Sequence, residues 1–350
     1  MKLLVISPSW LGDAVMSHSM YRLLVARYAP KSVRIDVVAP TWCKDVLNYM
    51  PEINKTFVLP YSHGDLALLK CYNFGKLLRF KNYQQAIVLP DSLKSALIPF
   101  FAKIPLRTGW LGEYRYGFLN DVRILNVQSF PLMIQRYASL VYNKNVVRNF
   151  CDLPSPLPYP CLDISETEIS SVLCKFNLHD HRKRLIGLCP GTASGLYKSW
   201  PQCYYVTLAI QLIYRGYYIV ILGAYQDNII SKFIDCSILT NLEKYYFNLI
   251  GRTSVKEVIA IIASCKAVVS NDSGLMHVAS ALQCPVVGIY GLLSNPKFTP
   301  PLYKRSIILR DISEDYYNKN LYGSSTDHYH SSLINIKPDR VLEALGILLS

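Results

Sequence analysis

No two of the ten cysteines stand in a C-x-x-C pair. They fall at positions 43, 71, 151, 161, 174, 189, 203, 236, 265 and 284, and Cys189 and Cys265 lie inside the apolar runs LIGLCPG and IIASCKAVVS. That spacing argues against a zinc ribbon or a disulfide frame and for small buried apolar groups in a reducing compartment. Other absences narrow the chemistry. H-E-x-x-H and comparable ligand clusters are missing, so no metal site is expected. No G-x-G-x-x-G follows the first strand, which speaks against a nicotinamide enzyme, and no G-x-S-x-G elbow or Walker A loop occurs. No apolar run approaches membrane-spanning length. The start, MKLLVISPSWLGD, is too short in its apolar part for a signal peptide. Low-complexity tracts and solenoid-length repeats are also lacking.

What is present is a chain of 350 residues, 51% hydrophobic and only 17% charged. That is a well-buried globular composition, and the length fits two domains. The net charge of +13 is unevenly placed. Residues 1–150 carry 19 Lys/Arg against 8 Asp/Glu, whereas residues 151–350 carry 18 against 16. A basic first half implies an anionic partner: nucleic acid, a membrane face or an acidic substrate. A solvated surface biased for solubility would have the same charge.

Hydrophobic periodicity predicts alternating strands and helices. In the first half the strands are 3–7, 33–39, 56–60 and 85–90, with helices over 16–27, 44–49 and 92–102. In the second they are 184–190, 217–223, 247–251, 267–270 and 285–291, with helices over 166–176, 204–214, 227–236, 255–263, 274–282 and 338–348. Such βαβ alternation implies parallel, doubly wound sheets. Between them, NFCDLPSPLPYPC (149–161) has prolines at 154, 156, 158 and 160, a pattern that reads as an extended linker. The expected division is therefore residues 1–152, 153–333 and a closing helical segment, 334–350.

Four loops follow predicted strands, where open α/β sheets hold their ligands. In SPSWLGDAVMS, Asp13 is either a first-turn acid favoured by the helix dipole or a carboxylate able to take a proton from an acceptor hydroxyl. In PGTASGLYKSWP, the residues Thr192, Ser194 and Lys198 with two glycines suit a diphosphate, or else form an ordinary polar loop. NDSGLMHVASAL places Asp272, Ser273 and Gly274 at a helix start, a ready anion site, with His277 one turn in. LGAYQD offers Asp227 to ribose hydroxyls or to a helix cap.

Taken in order, PSWLGDAVMS, PGTASGLYKSWP and NDSGLMH resemble the ADP-heptose:lipopolysaccharide heptosyltransferases, closest to the type II branch. APTWCKDVL, LPDSLKSALIPFFAKIPLRTGWLGEYRYGFLNDVR, FTPPL and YHSSLINIKPDRVLEAL extend the likeness along almost the whole chain. The resemblance implies a GT-B architecture, two Rossmann-like domains facing an interdomain cleft, with the last helix packing back on the first domain. It implies a metal-independent, cofactor-free, inverting glycosyltransferase that moves heptose from ADP-heptose to the first heptose of the inner core. Asp13 is then the general base. Lys198 stabilises the leaving group, and Thr192, Ser194, Lys198, Asp227, Asp272, Ser273, Gly274 and His277 bind the donor. Lys94, Arg115 and Arg136 are the candidates for gripping a lipid A-linked acidic acceptor. Lys70, Lys76, Arg79 and Lys81, on a helical stretch, are candidates for facing the anionic inner leaflet from the cytoplasm, or form a solvated face. A type I enzyme with the same donor and another acceptor, a nucleic-acid binder without chemistry and a dehydrogenase are the alternatives.

Overall fold

The computed structural model describes residues 1–61, 67–192, 198–238, 240–311 and 329–350. The chain divides into two compact units, Met1–Asp163 and Ile164–Ser350. The first contains β1 (Lys2–Ile6), α1 (Leu11–Met16), α2 (His18–Tyr28), β2 (Arg34–Ala39), α3 (Thr41–Leu47), β3 (Ile53–Val58) and α4 (Leu68–Arg79). Next come β4 (Gln85–Val88), α5 (Leu93–Phe101), β5 (Leu106–Trp110), β6 (Asp121–Arg123) and α6 (Met133–Ser139). The second contains α7 (Glu166–Lys175), β7 (Leu185–Cys189), α8 (Gln202–Tyr214), β8 (Tyr218–Ile221), α9 (Asn228–Ser237), β9 (Tyr246–Asn248) and α10 (Val255–Ser264). It ends with β10 (Ala267–Asn271), α11 (Gly274–Ala281), β11 (Val286–Tyr290), β12 (Ser306–Arg310), α12 (Ser331–Ile334) and α13 (Pro338–Leu349).

Each unit is built on one six-stranded sheet, ordered β3-β2-β1-β4-β5-β6 and β12-β11-β10-β7-β8-β9. Every named strand pairing is parallel. Counted from its own first strand, the second order repeats the first, so both are doubly wound in the Rossmann manner. Parallel strands covered on both faces need continuous apolar runs, and LLVI of β1 and LIGLC of β7 are fully buried. Leu4, Ile6, Val38, Ala86, Val88 and Ile98 centre the first core; Ile186, Leu188, Ile219, Val269, Val287 and Ile289 centre the second. Each such side chain contributes about 1.5–3 kcal/mol on burial.

Three features depart from the expected layout. The helix expected from Met16 begins at Leu11 and breaks at Ser17, whose Oγ bonds back to the Ala14 carbonyl at 2.7 Å, a local competitor to the helix ladder. The proline-rich stretch belongs to the first unit and is fastened to it. Cys161 N–H donates to His18 Nδ1 at 3.2 Å, Arg22 donates to the Tyr159 carbonyl at 2.7 Å, and Asp163 N–H donates to the Tyr49 carbonyl at 2.9 Å. Because His18 Nδ1 accepts, its Nε2 carries the proton and donates to Glu52 at 2.6 Å. The last helix, α13, packs into the second unit's own core, which includes Val341, Leu342, Ala344, Leu345 and Leu348.

Candidate active site

In a doubly wound sheet the strand order reverses at one point, and the loops leaving the carboxyl ends there diverge to leave a crevice. The reversal falls between β1 and β4 in the first unit and between β7 and β10 in the second. Each candidate loop of the sequence except LGAYQD leaves one of these four strands.

In the first unit, the β1–α1 loop is held from α3: Trp42 Nε1 donates to the Ser9 carbonyl at 2.8 Å, and the Cys43 thiol approaches the same oxygen at 3.6 Å. Trp10, in extended conformation, is the N-cap of α1 and makes no side-chain bond to its amides. Asp13 follows in the first turn, half-buried, where the helix dipole favours a carboxylate. Two enclosed groups feel its charge. Burial pushes the Cys43 thiol up to about 12, and the Asp13 charge adds to the shift. Tyr137, fully enclosed, is raised far above the ordinary phenol range, first by burial and then by Asp13 and Asp91. Asp13 and Asp91 thus share one buried phenol, and Asp91 stands in the loop that leaves β4.

Arg136 lies half-buried on α6, where Nε donates to the Phe130 carbonyl at 3.0 Å, and its charge acts on Asp91. Lys94 sits at the start of α5 with its ammonium 4.4 Å from the Tyr61 ring centroid. Arg115 is different. It is 0% exposed, and its guanidinium donates to the carbonyls of Pro90 (2.5 Å), Ser92 (3.2 Å) and Trp110, and to Ser95 Oγ at 3.1 Å. A guanidinium so committed to main chain has no reach toward an acceptor, which corrects its assignment as a gripping residue; it knits the β4–α5 loop to the end of β5. Gly112 packs that seam, since a Cβ there would stand 2.0 Å from the Asp91 carbonyl oxygen.

In the second unit, Asn271 ends β10 with its side chain fully buried. Its Nδ2 donates to the Pro190 carbonyl at 2.7 Å, and its Oδ1 accepts from Trp200 N–H at 3.0 Å. One amide thereby pins both ends of the loop that follows β7 to the strand across the crevice. Within that loop Thr192 Oγ1 lies 3.3 Å from Ser199 Oγ. Lys198 is half-buried, and its charge acts on Asp272. Burial holds the Asp272 carboxyl above the usual range, while a Ser294 hydrogen bond and Lys198 pull it back. Ser273 caps α11 by position only: its Oγ lies 3.1 Å from Ser270 Oγ and makes no cap bond. The first amides of α11, beginning at Gly274, therefore lack a side-chain cap and can receive an anion. His277 is 6% exposed, and burial pushes its imidazole down to about 4, so it is neutral.

Asp227 serves its own turn. Its Oδ2 accepts from Ala224 N–H at 2.8 Å, and burial raises its carboxyl. It packs on Gly191, where a Cβ would lie 2.2 Å from that oxygen; only glycine lets the two loops close. Ser194 lies outside the described residues. Among the described residues no three His, Cys, Asp or Glu side chains are grouped to hold a metal ion. The structure thus assembles Thr192, Lys198, Asp272, Ser273 and Gly274 around one crevice, and Asp13 with Arg136 around Tyr137. Sequence reasoning passed over Asn271, Ser294 and Asp91. Asp91 was open to the same strand-end rule that found Asp13; Asn271 carries no signal beyond its place at the end of a strand.

Residues 71–330 match the family described as glycosyltransferase family 9 (heptosyltransferase). The chain is 48% identical over 349 residues to lipopolysaccharide heptosyltransferase 2 of Escherichia coli K12, covering 100% of this chain and 99% of that protein. It is 44% identical to lipooligosaccharide heptosyltransferase 2 of Haemophilus ducreyi, with 100% of both covered. The solved structure of E. coli ADP-heptose lps heptosyltransferase II superposes with a TM-score of 0.90 at 45% identity, over 100% of this chain and 98% of that one. The fold is shared: the GT-B architecture of two Rossmann-like units.

Proposed function

The chain belongs to glycosyltransferase family 9 and is a glycosyltransferase, and from that premise we propose that it moves a heptosyl group from ADP-heptose onto the first heptose of the lipopolysaccharide inner core. The observation that carries the donor half is the β7/β10 crevice, where Lys198 and the uncapped start of α11 flank the point at which such sheets hold phosphates. Thr192 adds a hydroxyl donor, and Asp272, held by Ser294, is free of any need to touch phosphate; it suits sugar hydroxyls. The relatives' printed names supply the donor and the lipopolysaccharide acceptor.

In this reading Asp13 takes the proton of the acceptor hydroxyl as its oxygen attacks the anomeric carbon of the donor. The bond from that carbon to the diphosphate breaks through an oxocarbenium-like transition state, the configuration inverts, and ADP leaves. The negative charge that develops on the diphosphate is met by the Lys198 ammonium and the α11 amides. Arg136 and Lys94 remain the candidates for acidic groups of the acceptor, which is a lipid presented at the cytoplasmic face of the inner membrane.

The test is ADP release from ADP-heptose with a mono-heptosylated core acceptor, for the parent enzyme and Asp13→Ala. Turnover is expected in the parent and its loss in the variant, with nucleotide binding kept. Transfer by Asp13→Ala at near the parental rate removes the base from the scheme, and absence of ADP release by the parent removes the donor or the acceptor.

A further inference from the structure

On the first unit, the outward side of α4 is oily and basic at once. The helix buries Cys71, Gly75 and Leu78, the i, i+4, i+7 stripe of an amphipathic segment. A surface helix ordinarily turns polar residues to water. This one exposes Leu69 (71%), Leu77 (66%) and the Phe80 that follows it (83%), spaced i, i+8 and i+11 along one side. Lys70, Lys76 and Lys81 are exposed around them, and no Asp or Glu occurs between Ala67 and Gln85. Arg79, expected to join the lysines outside, turns inward and donates to the Phe101 carbonyl at 2.8 Å. At the foot of the helix, Phe80 and Lys81 line an open cavity of about 220 Å³ together with Lys2, Arg34 and Asp36. The Asp36 carboxylate is already taken by Asn54 Nδ2 (2.5 Å) and the Tyr83 hydroxyl (2.6 Å), with Arg34 Nε at 3.8 Å. Three cations and one engaged carboxylate leave that cavity net positive.

We propose that this face docks on the surface of an anionic phospholipid bilayer, with Leu69, Leu77 and Phe80 entering the headgroup layer and the Lys2–Arg34–Lys81 cavity receiving a lipid phosphate. Apolar side chains ringed by lysines are the composition of an interfacial helix, where buried apolar area and attraction to anionic lipid act together. No helix among the described residues is long and apolar enough to cross a membrane, so adhesion of this kind is the means of contact the surface offers. A nucleic-acid surface would set stacking aromatics beside arginines, and here two of the three apolar groups are leucines. A second copy of the chain would bring the same lysines face to face across a two-fold axis. The inference rests on the lipid-linked acceptor of the proposed reaction for its purpose only; its chemistry stands on the surface itself.

The experiment is flotation of the full chain with vesicles of phosphatidylcholine alone or mixed equally with phosphatidylglycerol. Binding to the anionic vesicles alone, weakened by salt, is expected. Leu69→Ser/Leu77→Ser/Phe80→Ser is expected to weaken it by about tenfold or more, and Lys76→Glu/Lys81→Glu by at least about fivefold for each lysine. Both variants should release ADP at the parental rate with a delipidated, water-soluble acceptor, because none of these residues lies at either crevice. If the parent ignores anionic vesicles, or both variants float like the parent, docking by this face is wrong. A parent that is a dimer, separated into monomers by the serine substitutions, overturns it in favour of a second copy. Vesicle binding that persists while the parent releases no ADP upholds docking and removes the transfer reading.

Discussion

The two crevices occupy the same place in the same topology, yet their walls are written in different chemistry. Around β1 and β4 the chain sets a half-buried carboxylate, Asp13, against enclosed phenol and thiol groups, and stiffens the rim with a buried guanidinium. Around β7 and β10 it sets hydroxyls, an uncapped helix start and one ammonium, pinned by a neutral amide. A carboxylate repels phosphate and accepts protons; amides and an ammonium do the reverse. In the proposed reaction the duplicated architecture thus separates two tasks that one crevice would perform against itself. The sharpest way to break this division is Asp13→Asn, which keeps the shape and removes the basicity. Its turnover should fall by about 10²–10⁴, with ADP-heptose affinity within about twofold of the parent by calorimetry. An equal loss of donor affinity would mean that the first crevice also holds the nucleotide sugar.

Lys198→Ala approaches the comparison from the other side. Removing one donor from a developing charge slows turnover by about 10²-fold, and here donor affinity should fall as well, since in the proposed reaction the ammonium also meets the ground-state diphosphate. Titration of ADP alone separates the two effects. Normal ADP affinity together with a normal rate would leave the second crevice without its cation.

Much of this division was legible in the residues. Continuous apolar runs placed most strands of both sheets, and the rule that ligands bind at their carboxyl ends singled out Asp13, Lys198 and Asp272, which stand after β1, β7 and β10. Three strands escaped notice: β5 (LRTGW), the short polar β6 (DVR) and the apolar β12 (SIILR). β6, read as Asp121–Arg123, has three residues, and its Asp121 and Arg123 pair with each other at 2.8 Å; nothing in that composition suggests a strand until β5 is beside it. Arg115 shows a second limit. An arginine between two tyrosines reads as a surface group, and only the convergence of the nearby Trp110 carbonyl with those of Pro90 and Ser92, distant in sequence, makes it interior. Asp227 was equally open to ribose or to its own turn, and one of its oxygens accepts from Ala224 N–H across that turn. The proline run was read as an extended linker because the partners that fasten it, His18, Arg22 and Tyr49, stand more than a hundred residues earlier.

Arg115→Ala sharpens the contrast in stability rather than rate. It strands several buried carbonyls and leaves a void, and should lower unfolding free energy by about 3 kcal/mol, read from urea midpoints. Because the frame it supports belongs to the first crevice, ADP affinity of the folded variant should be unaltered. A drop in ADP affinity at temperatures where the variant is fully folded would show that the two units are not independent in binding.

The smallest effect is a pH dependence that belongs to the second unit. His277 titrates near 4 when folded, against an ordinary value of 6.5, because burial disfavours its charged form. Between these values the unfolded chain binds a proton that the native chain refuses, so stability rises with pH and is lost as pH falls from about 6.5 toward 4. At pH 5 the loss from this one group is about 2 kcal/mol relative to pH 7.5. His277→Asn removes the titration, so its urea midpoint should change less between pH 7.5 and pH 5 than the parent's by that amount, whatever the substitution costs at neutral pH. Identical slopes would place the imidazole in contact with water or with an acid, and the start of α11 would then be a wetter and more adaptable anion site than its enclosed second turn implies.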